Sequence, residues 1–189
     1  YYAYTQEEYL ALMDAFEEKE IPLSVATVDM DWHYVDVWKE FVEKTDLRDE
    51  KKYGIIGGWT GDSWNKKLFP DYKAFLADLK KRKLKITLNL HPSDGVRWFE
   101  DMYDKFAEAM GKDPQTKEVI PFDLTDEKFA ENYFKLLHRP YEKSGVDFWW
   151  IDWQQGYSTK IKGLDPLWLL NHLHYKDSRL HGAGLILSR

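Results

Sequence analysis

The stretch Gly145-Val146-Asp147-Phe148-Trp149-Trp150-Ile151-Asp152 is a short apolar run that begins at a glycine and ends at a carboxylate. Uninterrupted apolar runs of this length are typical of strands that are covered on both faces, as in a parallel sheet. Three further runs, at residues 21–28, 84–90 and 184–189, are also short and apolar. The sequence therefore predicts four strands, the last of which starts at Gly184.

Segments with helical periodicity lie before and between these strands. The first extends from Thr5 to about Glu20, where Thr5 and Glu8 match a capping box. Its apolar stripe consists of Tyr9, Leu12, Met13 and Phe16. Further helices are predicted from Pro70, over residues 96–110, after a cap at Thr125, and from Pro166 to about Arg179. Helices that alternate with two-sided apolar strands predict a parallel sheet with crossover helices.

Two architectures have this alternation, the open doubly wound sheet and the closed (β/α)8 barrel. No glycine-rich phosphate turn follows a strand, so the nucleotide-binding form of the open sheet lacks its signature, and no cofactor is predicted. Polar residues end one strand after another, which favours the barrel. A whole barrel needs about 250 residues. We therefore predict that residues 1–189 are a partial (β/α)8 TIM barrel, a fragment of a single domain with no second domain.

Composition restricts the partners. The hydrophobic fraction of 43% and the charged fraction of 32% fit a folded chain. A net charge of −6 offers no attraction to a phosphate backbone, so no nucleic-acid partner is expected. No run approaches the roughly 20 apolar residues of a membrane span, and the N-terminus lacks a signal-peptide pattern. We expect no membrane partner, and the sequence indicates no cellular compartment.

Aromatic residues make up 16% of the chain and include nine tryptophans. Flat rings with a polar edge suit the apolar faces of sugars, although most aromatic side chains fill protein cores. Three of the tryptophans, at positions 149, 150 and 153, surround Asp152 in the sequence. This pattern is compatible with a sugar-binding pocket.

Three predicted strand ends carry polar residues: Asp29 and Asp31, then His91 and Asp94, then Asp152. In a barrel such ends converge. If the strand continues through Asp29 and Asp31, their spacing of two points both side chains the same way, toward a substrate or a shared cation. Metal catalysis is disfavoured, because His91 is the only histidine that ends a predicted strand and no His-Glu-x-x-His spacing is present.

The sequence has no cysteine and no Gly-x-Ser-x-Gly elbow, so thiol and serine nucleophiles have little support. Paired carboxylates remain; a retaining glycosidase places two of them about 5 to 5.5 Å apart. The alternative for Asp152 alone is a residue that caps the next turn or helix.

Four motifs in order resemble glycoside hydrolase family 31, the α-glucosidase and α-xylosidase family. Residues 28–33, Val-Asp-Met-Asp-Trp-His, are similar to the family's Asp-x-Asp strand end. Residues 58–61 and 69–71 are similar to its Trp-x-Gly and Phe-Pro-Asp signature. Trp150-Ile151-Asp152 resembles its nucleophile motif, and Leu187-Ser188-Arg189 its Ser-Arg segment.

The resemblance implies a retaining α-glycosidase, α-glucosidase-like, that acts on α-linked oligosaccharides or glycosides through a glycosyl-aspartate intermediate. It implies that Asp152 is the nucleophile and that the partner is a carbohydrate substrate. The substrate-binding residues that it implies, together with those that the strand ends supply, are Asp29, Asp31, Trp59, Asn89, His91, Trp150, Trp153 and Arg189.

The chain departs from the family pattern at three places. Trp153-Gln154-Gln155 replaces Met-Asn-Glu, Asn89 replaces a small apolar residue, and His91 replaces an aspartate. The family's acid/base aspartate lies downstream of the arginine, beyond Arg189. We therefore expect the isolated 189 residues to be inactive, and the rest of the catalytic domain or another chain to cover the open barrel edges. The alternatives are a non-catalytic carbohydrate-binding barrel and a transglycosylase of the same family.

Overall fold

The computed structural model describes residues 2–55, 59–153, 155–182 and 184–189. Its sheet has four parallel strands: β1 (Val25–Val28), β2 (Lys85–Leu90), β3 (Phe148–Ile151) and β4 (Leu187–Ser188). They lie side by side in chain order, β1-β2-β3-β4. A doubly wound sheet reverses its strand order, whereas a barrel adds each strand beside the last. The strand order is that of a barrel segment.

Helices occupy the segments between the strands. The α-helices are α1 (Gln6–Glu18), α2 (Glu50–Tyr53), α3 (Tyr72–Lys81), α4 (Tyr103–Ala109), α5 (Glu127–Asn132), α6 (Arg139–Ser144) and α7 (Pro166–His181). Short 3₁₀ turns cover Met30–Trp32 and Pro114–Thr116, and π-helical turns cover Trp38–Val42 and Tyr133–His138. None of the helices in the described ranges has the length and apolar character of a membrane span.

The predicted helix starts are confirmed where a cap is encoded in the sequence. The Thr5 hydroxyl accepts a hydrogen bond from the Glu8 N–H at 3.2 Å, and the Glu8 carboxylate accepts one from the Thr5 N–H at 2.9 Å. Pro166 is the first residue of α7, and the Asp165 side chain accepts from the Trp168 N–H. These local bonds satisfy backbone donors that the first helical turn leaves free.

Several predicted boundaries are wrong, among them the start of the last strand, which is Leu187 rather than Gly184. The first strand begins at Val25 rather than at Ile21, whose side chain is 45% exposed. Asp71 caps α3, so Pro70 precedes the helix instead of opening it. Asp126, not Thr125, caps α5. In both helices the neighbouring aspartate takes the capping position, because its carboxylate accepts the free N–H groups.

The helix predicted over residues 96–110 is only α4, because its first half is held in another conformation. Val96 and Ile120 exchange two backbone hydrogen bonds at 2.9 and 3.0 Å. Gly95 has a φ of 73°, and a Cβ there would lie 2.2 Å from the Ile120 carbonyl oxygen. Only glycine fits this close approach. The segment directly after β2 is therefore a loop that is hydrogen-bonded to the backbone of Ile120.

The two faces of the sheet have different surroundings. Ile86, Leu88 and Leu90 are buried against α1 and α3, where the predicted core residues Phe75, Leu76 and Leu79 are also fully buried. The opposite face carries Asn89 beside its register partner Trp150. At the outer strands this face is exposed, with Val25 at 37% and Leu187 at 42%. Its carboxyl edge is where the predicted site residues lie.

Buried histidines support β3 from the helix side. His138 packs edge-on against Trp149 at 4.3 Å between ring centroids, and its ring lies 5.1 Å from that of His174. The His174 Nε2 is 3.2 Å from the Tyr133 hydroxyl. Burial lowers the pKa of His138 to about 4 and also lowers the pKa of His174. Both rings are therefore neutral packing groups.

These histidines make stability depend on pH. Below a pH of about 6.5, these histidines are protonated in the unfolded chain but stay neutral in the folded chain. The free energy of unfolding therefore falls as the pH falls toward 4. His33, with a pKa lowered by burial to about 3, acts in the same sense. The buried Asp62 has the opposite effect on the free energy of unfolding, because burial and Glu100 raise its pKa. This single carboxyl does not offset the three imidazoles.

We therefore expect the urea midpoint of the full-length protein, followed by tryptophan fluorescence, to fall steadily between pH 6.5 and about pH 4. His138→Phe should make this decline shallower, because each proton that is no longer differentially bound removes about 1.4 kcal/mol per pH unit. An unchanged slope in this variant would contradict the assignment of His138 as a buried neutral group.

Thr5→Ala removes the cap of α1 and should lower the free energy of unfolding by about 1 kcal/mol, because two reciprocal hydrogen bonds are lost. The measurement is the urea midpoint at constant slope. Thr5→Ser is the matched control, since it keeps the hydroxyl, and should remain close to the parent protein. Equal stability of the alanine and serine variants would show that the cap contributes nothing.

Candidate active site

Asp152 lies one residue beyond β3 at the carboxyl edge of the sheet. Its N–H donates to the Leu90 carbonyl oxygen at 3.3 Å, which extends the parallel ladder past the end of the strand. Strand alternation places its side chain on the same face as Trp150. The carboxylate is 22% exposed. It is therefore anchored through its backbone and still reachable from solvent.

One oxygen of this carboxylate is held by two residues of the neighbouring strand end. The Asn89 side-chain amide donates to Asp152 Oδ2 at 3.2 Å, and His91 Nε2 lies 3.4 Å from the same oxygen. Asn89 is fully buried, and His91 is only 2% exposed. Oδ1 is engaged by neither side chain. The arrangement orients the carboxylate and leaves one oxygen for another partner.

His91 interacts with Asp152 mainly as a neutral ring. Burial is the largest influence on it and lowers its pKa, although the carboxylates of Asp152 and Asp29 favour the protonated form. Desolvation of a charged imidazole therefore outweighs the attraction of two nearby carboxylates. His91 therefore lies 3.4 Å from Oδ2 without a full positive charge, and the hydrogen bond to this oxygen comes from Asn89.

Two exposed tryptophans stand beside this carboxylate. Trp59 is 44% exposed and Trp153 43%, and their rings meet edge to face at 5.7 Å. The Trp153 ring also lies 6.2 Å from that of His91. Trp150, half-buried, is the register partner of Asn89. Large apolar surfaces left open beside a carboxylate are suited to an amphipathic ligand.

Asp29 and Asp31 do not extend a strand, so the expectation that strand alternation aligns them is wrong. β1 ends at Val28, and Asp29 caps a 3₁₀ turn by accepting from the Met30 N–H at 2.7 Å. Asp31 lies inside that turn and is only 7% exposed. Asp29 is close enough to His91 for its carboxylate to favour the protonated ring, although burial lowers the pKa of His91 overall. The structure thus brings Asp29 to the site edge and buries most of Asp31.

Arg189 follows β4 directly, as Asp152 follows β3. Leu187 pairs in register with Trp150 and Ser188 with Ile151. Alternation therefore places Arg189 on the same face as Trp150. The residue is exposed. The predicted convergence of the four strand ends at one edge is consistent with these positions.

Trp32 is a site-supporting residue to which the sequence analysis assigned no role. Its indole N–H donates to the Asn89 carbonyl oxygen at 2.7 Å, and its ring is fully buried. It thereby ties the turn after β1 to the residue that holds Asp152. The only sequence signal was its position directly after Asp31 in the first motif.

A buried arginine anchors the loop that carries Trp59. Arg97 is fully buried and donates to the Thr60 carbonyl oxygen at 2.5 Å and to Glu100 at 3.3 Å. The Thr60 hydroxyl donates to Asp94 at 2.6 Å. Asp94, expected at a strand end to carry chemistry, thus has a structural contact. No local pattern in the sequence pointed to Arg97.

Some predicted positions cannot be placed. Gly57 and Gly58 of the predicted loop, and Gln154 of the segment after Asp152, lie outside the described residues. His33, the last residue of the first motif, is fully buried. In the described ranges no group of three or more histidine, aspartate or glutamate side chains is arranged to hold a metal ion.

Solved structures with a similar fold include glycosidases. A GH31 α-xylosidase from a soil metagenome, complexed with xylose, is 15% identical with a TM-score of 0.60, over 98% of this chain and 27% of its own. A xylosidase from Aspergillus niger is 16% identical with a TM-score of 0.62, over 98% and 29%. The Flavobacterium johnsoniae GH31 dextranase, complexed with glucose, is 15% identical with a TM-score of 0.60, over 98% and 24%.

These similarities concern the fold, and the chain spans between 24% and 29% of the length of these three proteins. The family model "Glycosyl hydrolases family 31 TIM-barrel domain" matches residues 1–178, which is most of the chain. The prediction of a partial (β/α)8 barrel is thereby confirmed, as is the resemblance in the sequence motifs. The chain belongs to the TIM-barrel domain of glycosyl hydrolases family 31.

Proposed function

We propose that the full-length protein is a retaining α-glycoside hydrolase, α-glucosidase-like, which acts on α-linked oligosaccharides or glycosides with Asp152 as its nucleophile. The observation that carries the proposal is the Asp152 carboxylate, which has one oxygen held at 3.2 Å by Asn89 and stands beside exposed tryptophans. Family membership supports glycoside chemistry. The ligands in the complexes of two similar structures, xylose and glucose, are neutral sugars.

In the proposed reaction, Asp152 Oδ1 attacks the anomeric carbon as the bond to the leaving oxygen breaks. The leaving oxygen takes a proton from a second carboxylic acid, which we place beyond Arg189 as the family pattern implies. The product is a covalent glycosyl ester. Water then attacks the same carbon, gives its proton to that second carboxylate, and releases Asp152 with net retention.

The contacts of Asp152 are those that a nucleophile needs. A carboxylate that rotates freely presents its attacking oxygen in many directions, whereas two contacts to Oδ2 restrict it to one. We therefore assign Asn89 and His91 a positioning role as well as their predicted contact with substrate. Both are buried, so they hold this orientation before any substrate arrives.

The remaining predicted residues surround the position of the reacting ring. We propose that Trp59, Trp150 and Trp153 supply its apolar walls, since aromatic faces stack on the C–H faces of sugars. Asp29, Asp31 and Arg189 are proposed to bind its hydroxyl groups, because charged groups form stronger hydrogen bonds than neutral ones.

The direct test is covalent trapping. The full-length protein is treated with an α-glucose-configured cyclophellitol-type probe, and peptide mass spectrometry locates the adduct. We expect the adduct on Asp152, because the strained epoxide alkylates the attacking carboxylate. Asp152→Asn is the matched control and should remain unlabelled. If neither this probe nor its xylose- and galactose-configured versions labels the protein, the hydrolase proposal is contradicted and the non-catalytic sugar-binding alternative is favoured.

Asn89→Asp tests the positioning role. It keeps the shape of the side chain but replaces a hydrogen-bond donor with a second carboxyl group beside Asp152, and two adjacent carboxylates resist simultaneous ionisation. We expect kcat to fall roughly tenfold or more and the acidic limb of the kcat/KM profile to move to higher pH, because only the ionised nucleophile attacks.

The matched control for that variant is Asn132→Asp, which makes the same change at an asparagine whose side chain donates to the Lys128 carbonyl oxygen in α5. It should leave the pH profile in place. If Asn89→Asp lowers activity without moving the acidic limb, Asn89 supports the fold and does not orient the nucleophile.

A further inference from the structure

A second cavity lies among the loops that follow β2 and β3, and we call it the lateral cleft. It is lined by residues from the segments 120–126 and 155–160, together with Phe129 of α5 and Leu169 of α7. Its volume is about 510 Å³, which is within the range of small-molecule sites. Neither Asp152 nor Trp153 lines it. The lateral cleft is therefore distinct from the pocket proposed for the reacting ring.

The lateral cleft is nevertheless linked to that pocket through both neighbouring loops. Ser93, which lines it, comes two residues after His91, and Gln155 comes three residues after Asp152. Both loops leave the carboxyl edge of the sheet, where barrels bind their substrates. A ligand that extends from the reacting ring along this edge would therefore pass the two loops that line the lateral cleft.

The charges in the lateral cleft favour a neutral ligand. Its lining contains two lysines, Lys112 and Lys160, and two aspartates, Asp123 and Asp126. Lys160 Nζ already lies 2.7 Å from Asp123 Oδ2, and the Thr125 N–H donates to Asp123 Oδ1 at 3.0 Å. The positive and negative side chains are equal in number, and Lys160 and Asp123 already form an ion pair. The lateral cleft therefore offers no net attraction to an anion or a cation.

Its uncharged groups are those that bind sugars. The ring of Phe122 contributes an apolar aromatic surface, and Ser158 contributes a hydroxyl group. Gln155 Oε1 is buried, and within the described part of the chain it has no hydrogen-bond partner. A buried acceptor without a partner is costly, so a donor from a ligand is favoured there. A sugar offers hydroxyl donors and an apolar face together.

We propose that the lateral cleft binds a non-reacting sugar unit of an oligosaccharide substrate, with a sugar hydroxyl donating to Gln155 Oε1. This inference rests on the proposed function for the class of ligand, and it names oligosaccharides, rather than glycosides of small alcohols, as the preferred substrates. Gln155 is then a specificity-determining residue, because it contacts a part of the substrate at which no bond changes.

The test is calorimetric titration of the full-length Asp152→Asn protein, which keeps the sugar chain intact, with glucose, isomaltose, isomaltotriose and longer isomalto-oligosaccharides. We expect affinity to rise with length and Gln155→Met to weaken the binding of the longer sugars about tenfold, the effect of one lost hydrogen bond. Glucose binding should stay unchanged. Gln115→Met, at an exposed position in the turn Pro114–Thr116, is the matched control.

Ser158→Trp provides a second variant that does not rely on Gln155, because a large ring at this exposed, cleft-lining position occupies the space of a sugar. It should also weaken the longer sugars selectively. Equal binding of the longer sugars by the parent protein, Gln155→Met and Ser158→Trp would overturn the proposal, and so would affinity that does not rise with length. If the probe labels Asp152 but sugar binding does not depend on Gln155, the proposal for the lateral cleft is wrong and the proposed hydrolase function stands. If binding depends on Gln155 but no probe labels the protein, the hydrolase proposal is wrong and the lateral cleft stands.

Discussion

The register of β2 against β3 is the constraint on which the candidate site depends. Asn89 pairs with Trp150, and the Asp152 N–H continues the ladder to the Leu90 carbonyl oxygen. A slip of one residue would turn every side chain of one strand to the opposite face. Asn89 would then point into the helix layer, and Asp152 would lose the amide that holds its Oδ2. The geometry of the carboxylate is thus a consequence of strand pairing.

A layer of buried polar groups makes this edge rigid. The Trp32 indole holds the backbone of Asn89, and Arg97 holds the backbone of Thr60 beside the exposed Trp59. Such bonds are strong in a desolvated setting, where the alternative is an unsatisfied buried group. The residues that face solvent at the site are therefore supported by residues that never reach it. Preorganisation of this kind lowers the cost of orienting groups during a reaction.

The departures from the family motifs gather around the same carboxylate. Asn89 and His91 both contact Asp152 Oδ2, and Trp153 packs against Trp59. Two of the altered residues thus hold the carboxylate. Since burial lowers the pKa of His91, this oxygen is held by the hydrogen bond from Asn89 and by the close approach of His91 more than by a positive charge. Positions at which the chain departs from the family pattern are thus among the ones that contact this carboxylate.

The sequence by itself determined the alternation of strands and helices, the capping box of α1, the family, and the position of Asp152 at a strand end. These features depend on local periodicity and on short motifs, which few neighbouring residues settle. It failed where a contact distant in sequence overrode a local preference, as when Val96 paired with Ile120 and shortened the predicted helix.

Only the tertiary structure decided what surrounds Asp152. Asn89 is 63 residues away from it in the chain, and Trp32 is 57 residues away from Asn89. The burial of Arg97 and the lateral cleft likewise arise from segments that meet only in the folded chain. The physical reason is that hydrogen bonding and desolvation act through space, whereas propensities and motifs act along the chain.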